Sequence, residues 1–332
     1  MNRFYLTIFL ISVLSANCVG QTVPDKDSLL VDSLAKADLA DLYGMFNKST
    51  SYFQVGFGIG NQLYNANAQS LDLQETDRPV VYTPTIAYFH KSGFAISANS
   101  YLLTENNSFG ANQYSVTPSY ETPADSKWDF LFSYTHFFIN NEYSKYSSPI
   151  QNDLYSSLVY KKHWFQPGGA LGYSTGNSKE VLRLDTTING TYHAFYDSLT
   201  NKLQSFSLIA SVEHSFGWPA VFNKDDSLGF TPILMLNLGT ATTTAVDHTN
   251  LGASLTPLQK AIIKAALTKR KQKLNRVQTT PFEVESVSLD LQADYTIGNF
   301  AIEPDVYLDY YLHQTSQQSF TQTFVVNFNY SF

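Results

Sequence analysis

The sequence is poor in cysteine, in charge and in long apolar runs, and each shortage excludes something. Its single cysteine is Cys18, so the rest of the chain has neither a disulfide framework nor a cysteine-based metal cluster. Only 15% of its residues are charged, against about a quarter in an ordinary soluble domain. Acids outnumber bases, 28 to 21, for a net charge of −7, and the basic footprint expected of a nucleic-acid binder is missing. Beyond residue 20 no 18 consecutive apolar residues occur, so no further transmembrane helix is expected. The seven histidines show no metal-ligand spacing, and there is no phosphate-binding glycine loop or nucleophile elbow. No cofactor is expected.

Aromatic residues are abundant instead: 22 Tyr and 24 Phe in 332 residues, at a mean hydropathy of only −0.17. That combination suits a wall with one face in lipid and the other in water. Period-2 alternation, the mark of such strands, recurs along the chain. It predicts twelve strands near 52–64, 80–91, 93–103, 112–121, 127–139, 151–162, 165–175, 203–216, 228–240, 284–297, 300–313 and 319–332. Short connections (91–93, 123–126, 163–164, 298–299) alternate with long ones (65–79, 104–111, 140–150, 176–202, 241–283) and a shorter one at 314–318. The connection 218–227 is intermediate. The expected fold is all-β, a transmembrane antiparallel barrel with short turns at one end and long loops at the other.

Two segments stand apart. Residues 1–20 carry Arg3, an apolar core over 4–14 and the small residues Ser15, Ala16, Cys18 and Gly20, the pattern of a cleavable export signal. A lipoprotein anchor at Cys18 is the weaker alternative, since Ser15 and Asn17 fit it poorly. Residues 21–50 are acidic, and Leu29, Leu30, Leu34, Leu39, Leu42 and Met45 predict an amphipathic helix over 27–48. It is either a periplasmic tail or an element entering the barrel 51–332.

The last strand is the most specific signal. Phe324, Val326, Phe328, Tyr330 and Phe332 alternate with polar residues and Val325, and the sequence stops on Phe332. This resembles the C-terminal assembly signal of Gram-negative outer-membrane β-barrels. The resemblance implies insertion by the barrel-assembly machinery, contact with outer-membrane lipid, and both termini in the periplasm. The aromatic, Asn- and Tyr-rich style of 50–332, seen in residues 88–94 at one turn, is similar to barrels of Bacteroidota. Four Asp-Ser-Leu triplets, at Asp27, Asp32, Asp197 and Asp226, resemble the short O-glycosylation motif of that phylum.

Alternation also assigns the inward face. Glu213, Asp290, Asp294, Glu303, Asp305 and Asp309 all fall on it. A two-residue turn at Gly298-Asn299 sets Ile297 against Phe300, Gln292 against Asp305, Ser288 against Asp309 and Asp294 against Glu303. Opposed acids need relief by a basic partner, a cation or a proton. A candidate partner lies in the loop 241–283. A helix is predicted over 257–274, opened by Thr256-Pro257 and Gln259. Lys269, Arg270, Lys271, Lys273 and Arg276 follow, either solvated outside or folded inward against the acids. Small inward residues (Gly56, Gly58, Gly60; Gly168, Ala170, Gly172, Ser174) make room for a plug or ease curvature.

One twelve-strand barrel family is a phospholipase with an outward His-x-Ser pair and an Asn on the next strand. Here the only such spacing is His90-Lys91-Ser92, at a short turn; Phe138 and Phe216 follow His136 and His214. The chain is therefore expected not to be an enzyme. The expected function is a porin-like pore for small hydrophilic solutes with a weak cation preference. The alternative is a plugged barrel serving as a surface-loop binding or accessory protein.

Overall fold

β-branched and aromatic residues at alternate positions favour extended chain, and in this protein they form one closed antiparallel sheet. A computed structural model describes residues 51–61, 79–105, 108–123, 126–140, 150–188, 191–248, 277–312 and 320–332. The first strands are β1 (Tyr52–Gly60), β2 (Val81–Phe89), β3 (Phe94–Glu105), β4 (Ser108–Glu121) and β5 (Trp128–Ile139). Next come β6 (Ile150–Tyr160), β7 (Gln166–Ile188), β8 (Thr191–Glu213), β9 (Phe216–Pro219) and β10 (Asp226–His248). The last are β11 (Val277–Thr279), β12 (Glu283–Ile297), β13 (Phe300–Tyr311) and β14 (Phe320–Ser331).

Neighbouring strands pair antiparallel around the sheet, β8 joins β10, and β14 returns to β1 with Phe57 opposite Phe328. Closure leaves no open edge. Twelve strands make the wall. β9 continues the line of β8 along β10, and β11 continues that of β12.

The predicted strands lie where alternation put them, with three corrections. The loop expected at 104–111 is short, since β3 and β4 pair down to Glu105 opposite Ser108. The loop expected at 176–202 is strand. β7 and β8 each run 23 residues and pair from Gln166–Glu213 to Ile188–Thr191. Part of the loop expected at 241–283 is also strand, because β10 runs on to His248 and β11 pairs with it. These extensions carry too little sustained apolar–polar alternation to read as strand, and 23 residues of strand outrun the roughly 9–11 that cross a bilayer. The connection at 218–227 likewise contains the end of β9. No helix occurs among the described residues; the helices expected over 27–48 and 257–274, the export signal, and His313 lie outside them.

The tight turns gather at one rim, with the start of β1 and the end of β14. Gly298 takes φ +57° at the first position of its two-residue turn, as a type II′ hairpin requires. The register is the expected one: Ile297 faces Phe300, Gln292 faces Asp305 and Ser288 faces Asp309.

Candidate functional site: the acidic lumen wall

Burial is inverted relative to a soluble domain. Phe53, Ile86, Ile96, Leu171, Leu208, Val212 and Leu234 stand exposed on the outer face, while Ser115, Ser133, Asp153, Ser174, Ser205, Asn237, Ser288 and Asp309 are buried inside. Two aromatic girdles bound the apolar band, as in membrane barrels. At the turn rim Phe53 meets Tyr88 at 4.8 Å, and Trp128 meets Tyr160 at 4.6 Å. At the loop rim Tyr82 meets Phe109 at 5.9 Å, and Phe206 meets Phe282 at 6.1 Å. Trp128 and Phe138 are ten residues apart on β5. At about 3.3 Å per residue and a tilt of about 40°, that is roughly 25 Å of bilayer. The outer wall is a membrane-spanning surface.

The alternate aromatic and apolar residues of the last strand form the outer face of β14, with Phe324, Tyr330 and Phe332 40%, 43% and 68% exposed. The final backbone N–H, that of Phe332, donates to the Phe53 carbonyl at 2.8 Å. The last strand is thereby sewn to the first.

Inside, space at β1 is taken up by β14. A side-chain carbon at Gly58 would stand 2.7 Å from the Asn327 amide oxygen, and one at Gly56 would run into Asn329. The glycines therefore accommodate two inward asparagines from the neighbouring strand. At β7, a carbon at Gly168 would stand 2.7 Å from the Ser211 hydroxyl, while Ala170 borders a cavity.

The six acids assigned inward by alternation separate into three kinds. Asp309, 1% exposed, is served by the wall. The Ser288 hydroxyl donates to it at 2.7 Å, and the Tyr307 hydroxyl donates to Ser288 at 2.6 Å. The Asn237 amide donates to Ser286 at 2.9 Å and to Ser288. Glu303 accepts from the Asn329 amide at 2.9 Å. Asp294 lies across the bare backbone of Gly229, on the strand beside it.

The third kind borders a cavity of about 250 Å3 lined by β6, β7, β8, β10, β12 and β13 and partly open. Glu213, Asp290 and Asp305 line it together with Gln292 and Tyr307, and Ile209, Ile233 and Met235 supply an aliphatic wall. Asp290 is 7% exposed. One of its oxygens accepts from Gln292 at 2.8 Å. Its carboxyl also lies within hydrogen-bond reach of that of Asp305, and one oxygen of each meets no other donor among the described residues. No group of three His, Cys, Asp or Glu with metal-binding geometry occurs among the described residues. The basic residues Lys269, Arg270, Lys271, Lys273 and Arg276 lie outside them.

Asn237, Ser288 and Tyr307 escaped the sequence reading as site residues. Each falls on the inward phase of its strand, but only long-range strand order brings Asn237 beside Ser288. Of the histidines considered for catalysis, His90 sits 2.7 Å from Ser92 at the turn rim, and His136 2.9 Å from Asn152 on the outer face.

No protein-family model matches the chain, and no curated protein matches it in sequence. Solved structures do, and they are outer-membrane barrels. The NanC porin matches over 84% of this chain and 98% of its own, at 11% identity and a TM-score of 0.34. LpxR from Salmonella typhimurium matches over 83% and 99%, at 9% identity and 0.31. The Pseudomonas putida toluene transporter TodX matches over 85% and 88%, at 8% identity and 0.29. At these values the likeness carries neither a solute nor a chemistry across. The expectation that the chain is not an enzyme is nonetheless overturned. This fold class includes enzymes as well as pores, so barrel architecture does not exclude catalysis.

Proposed function

We propose that the protein is a porin-like pore of the outer membrane, passing small hydrophilic solutes with a weak preference for cations. The observation that carries this is the lumen cavity, bordered among the described residues by Glu213, Asp290 and Asp305 and by no lysine or arginine. Carboxylates lining a narrow water path lower the local potential and favour cations over anions. Asp294, Glu303 and Asp309 lie on the same inward phase of β12 and β13 and add to that field. The proposal includes export by the 1–20 signal, insertion through the β14 aromatic strand and a periplasmic position for both chain ends. It is supported by β1 and β14 meeting at the rim of short turns.

Purified protein in a planar bilayer under a KCl gradient tests it. Ohmic conductance is expected, with a reversal potential of the sign given by potassium selectivity. Asp290→Asn, Asp305→Asn and Glu213→Gln combined should move that potential toward zero. No conductance from the wild type and none after deletion of 250–278 would sink the pore.

A further inference from the structure

The wall closes on itself, but the hairpin of β7 and β8 runs past the wall and carries an edge there. β6 covers β7 only as far as Ile150 opposite Gly176. Beyond that point residues 177–188 are laddered to β8 alone among the described strands. The far side of β8 is covered by β10 as far as Ser198 opposite His248. The long open edge of the hairpin is therefore that of β7. Which backbone groups it offers follows from the turn. Ile188 pairs with Thr191 across a two-residue loop, so these two residues exchange both hydrogen bonds. Bonded pairs alternate along an antiparallel ladder, and no register shift interrupts β7 and β8. Even-numbered residues of β7 thus bond β8. Lys179, Val181, Arg183 and Asp185 turn their N–H and C=O groups the other way. Such a row is a template for adding a strand.

The edge is complementary to itself. A second β7 laid antiparallel along it must match odd-numbered residues with odd-numbered ones for the bonds to form. About a two-fold axis at Leu182, Lys179 comes opposite Asp185, Val181 opposite Arg183, and Leu182 opposite its own copy. A slip of two residues one way sets Lys179 against Arg183, and the other way sets Arg183 against itself. Like charges directly opposite destabilise a ladder, and opposite charges support it. Charge therefore selects the Leu182 register, which is also the one that overlaps the most of residues 177–188.

We propose that β7 pairs with β7 of a second copy of this chain, antiparallel about Leu182. Wall strands lean about 40° from the bilayer normal. Two barrels in one bilayer, related by a two-fold axis along that normal, would cross such strands at about 80°. Antiparallel pairing instead joins barrels in facing membranes, loop rim to loop rim. Tyr173 pairs with Phe206 at that rim. From there to Leu182, at about 3.3 Å per residue and the same tilt, each hairpin rises roughly 23 Å, which holds the two apolar bands about 45 Å apart. The pairing does not depend on whether the lumen conducts.

The test uses the full chain, first in detergent micelles by light scattering and then in proteoliposomes. A concentration-dependent dimer is expected in micelles. Proteoliposomes should cluster, with electron cryomicroscopy showing bilayers at that spacing. Val181→Pro removes a donor from the open edge and spares the bonds to β8, as proline on an edge strand can. It should weaken the dimer by about tenfold or more. Lys179→Asp and Asp185→Lys each set like charges opposite and should do the same, while the two together restore the dimer. These charge variants lie beyond the wall and decide the matter if Val181→Pro fails to fold. With Cys18→Ser as background, Leu182→Cys should form a disulfide between copies, since such opposed residues stand about 4.5 Å apart at Cα, within disulfide range. Glu180→Cys, which falls opposite Leu184, should not. A monomer at every concentration, or a dimer indifferent to Val181→Pro and to both charge reversals, overturns the pairing. Failure of the charge swap to restore the dimer overturns the register. Dimers in micelles that leave vesicles unclustered overturn the facing-membrane arrangement.

Discussion

Ala170 and Leu171 are adjacent in the chain and live in different solvents. Ala170 is 7% exposed and borders the lumen cavity; Leu171 is 50% exposed on the outer face. Leu171 is five residues into β7 from the turn rim. At about 3.3 Å per residue and a tilt of about 40° it stands near the middle of the apolar band. Leu171→Arg should therefore lower stability by about 2–4 kcal/mol, read as a shift in the urea unfolding midpoint of the protein refolded into lipid. A shift no larger than that of a surface-loop substitution would argue that this face does not meet lipid. Residue-scale phase was legible in the strands whose outward positions are nearly all apolar or aromatic. The use made of each inward residue was not. Gly56 and Gly58 could equally have cleared a path for a plug; the room belongs to Asn329 and Asn327.

At the scale of elements, turns carry as much information as strands. The segment between β9 and β10 is held by Asp226, which is 1% exposed. Its carboxylate accepts from the backbone N–H groups of Val221, Phe222 and Asn223 at 2.7, 3.0 and 2.9 Å. The Tyr295 hydroxyl donates to it at 2.8 Å. Ala220 takes φ +54° there, an uncommon conformation for a non-glycine residue. Asp226 thus has a structural role, whatever else the Asp226-Ser227-Leu228 triplet does. Asp226→Ala leaves the turn's donors without their acceptor. It should open the adjacent Lys224 to trypsin in the folded, detergent-solubilised protein, with wild type staying intact by mass spectrometry. Equal resistance of the two would show that the turn holds without its carboxylate. The long β7–β8 hairpin was the element least legible in the sequence. A strand that leaves the bilayer loses the lipid that imposes alternation, so 176–202 looked like loop while the backbone carried on pairing.

At the scale of the whole molecule, closure and the two girdles set the position in the bilayer. All three tryptophans, Trp128, Trp164 and Trp218, are exposed near the rim of short turns. Indole rings favour the headgroup level. Lipids brominated near the headgroup should quench the protein's fluorescence more than lipids brominated at the chain ends; the reverse order would place this rim in the bilayer interior.

The sequence by itself determined the all-β barrel, the phase of the strands that carry the acids and of the terminal strand, and the inward side of six acids. Alternation, tight turns and a terminal aromatic strand are local consequences of a lipid face and a closed sheet. Only the tertiary structure decided which of those acids are satisfied. Asp309 depends on Ser288, which Asn237 reaches from 51 residues away; Glu303 depends on Asn329; Glu213 meets Asp290 across Ile233 because β8 and β12 flank β10. Hydrogen-bond partners in a barrel come from neighbouring strands, and strand neighbours far apart in the chain exist only once the wall has closed.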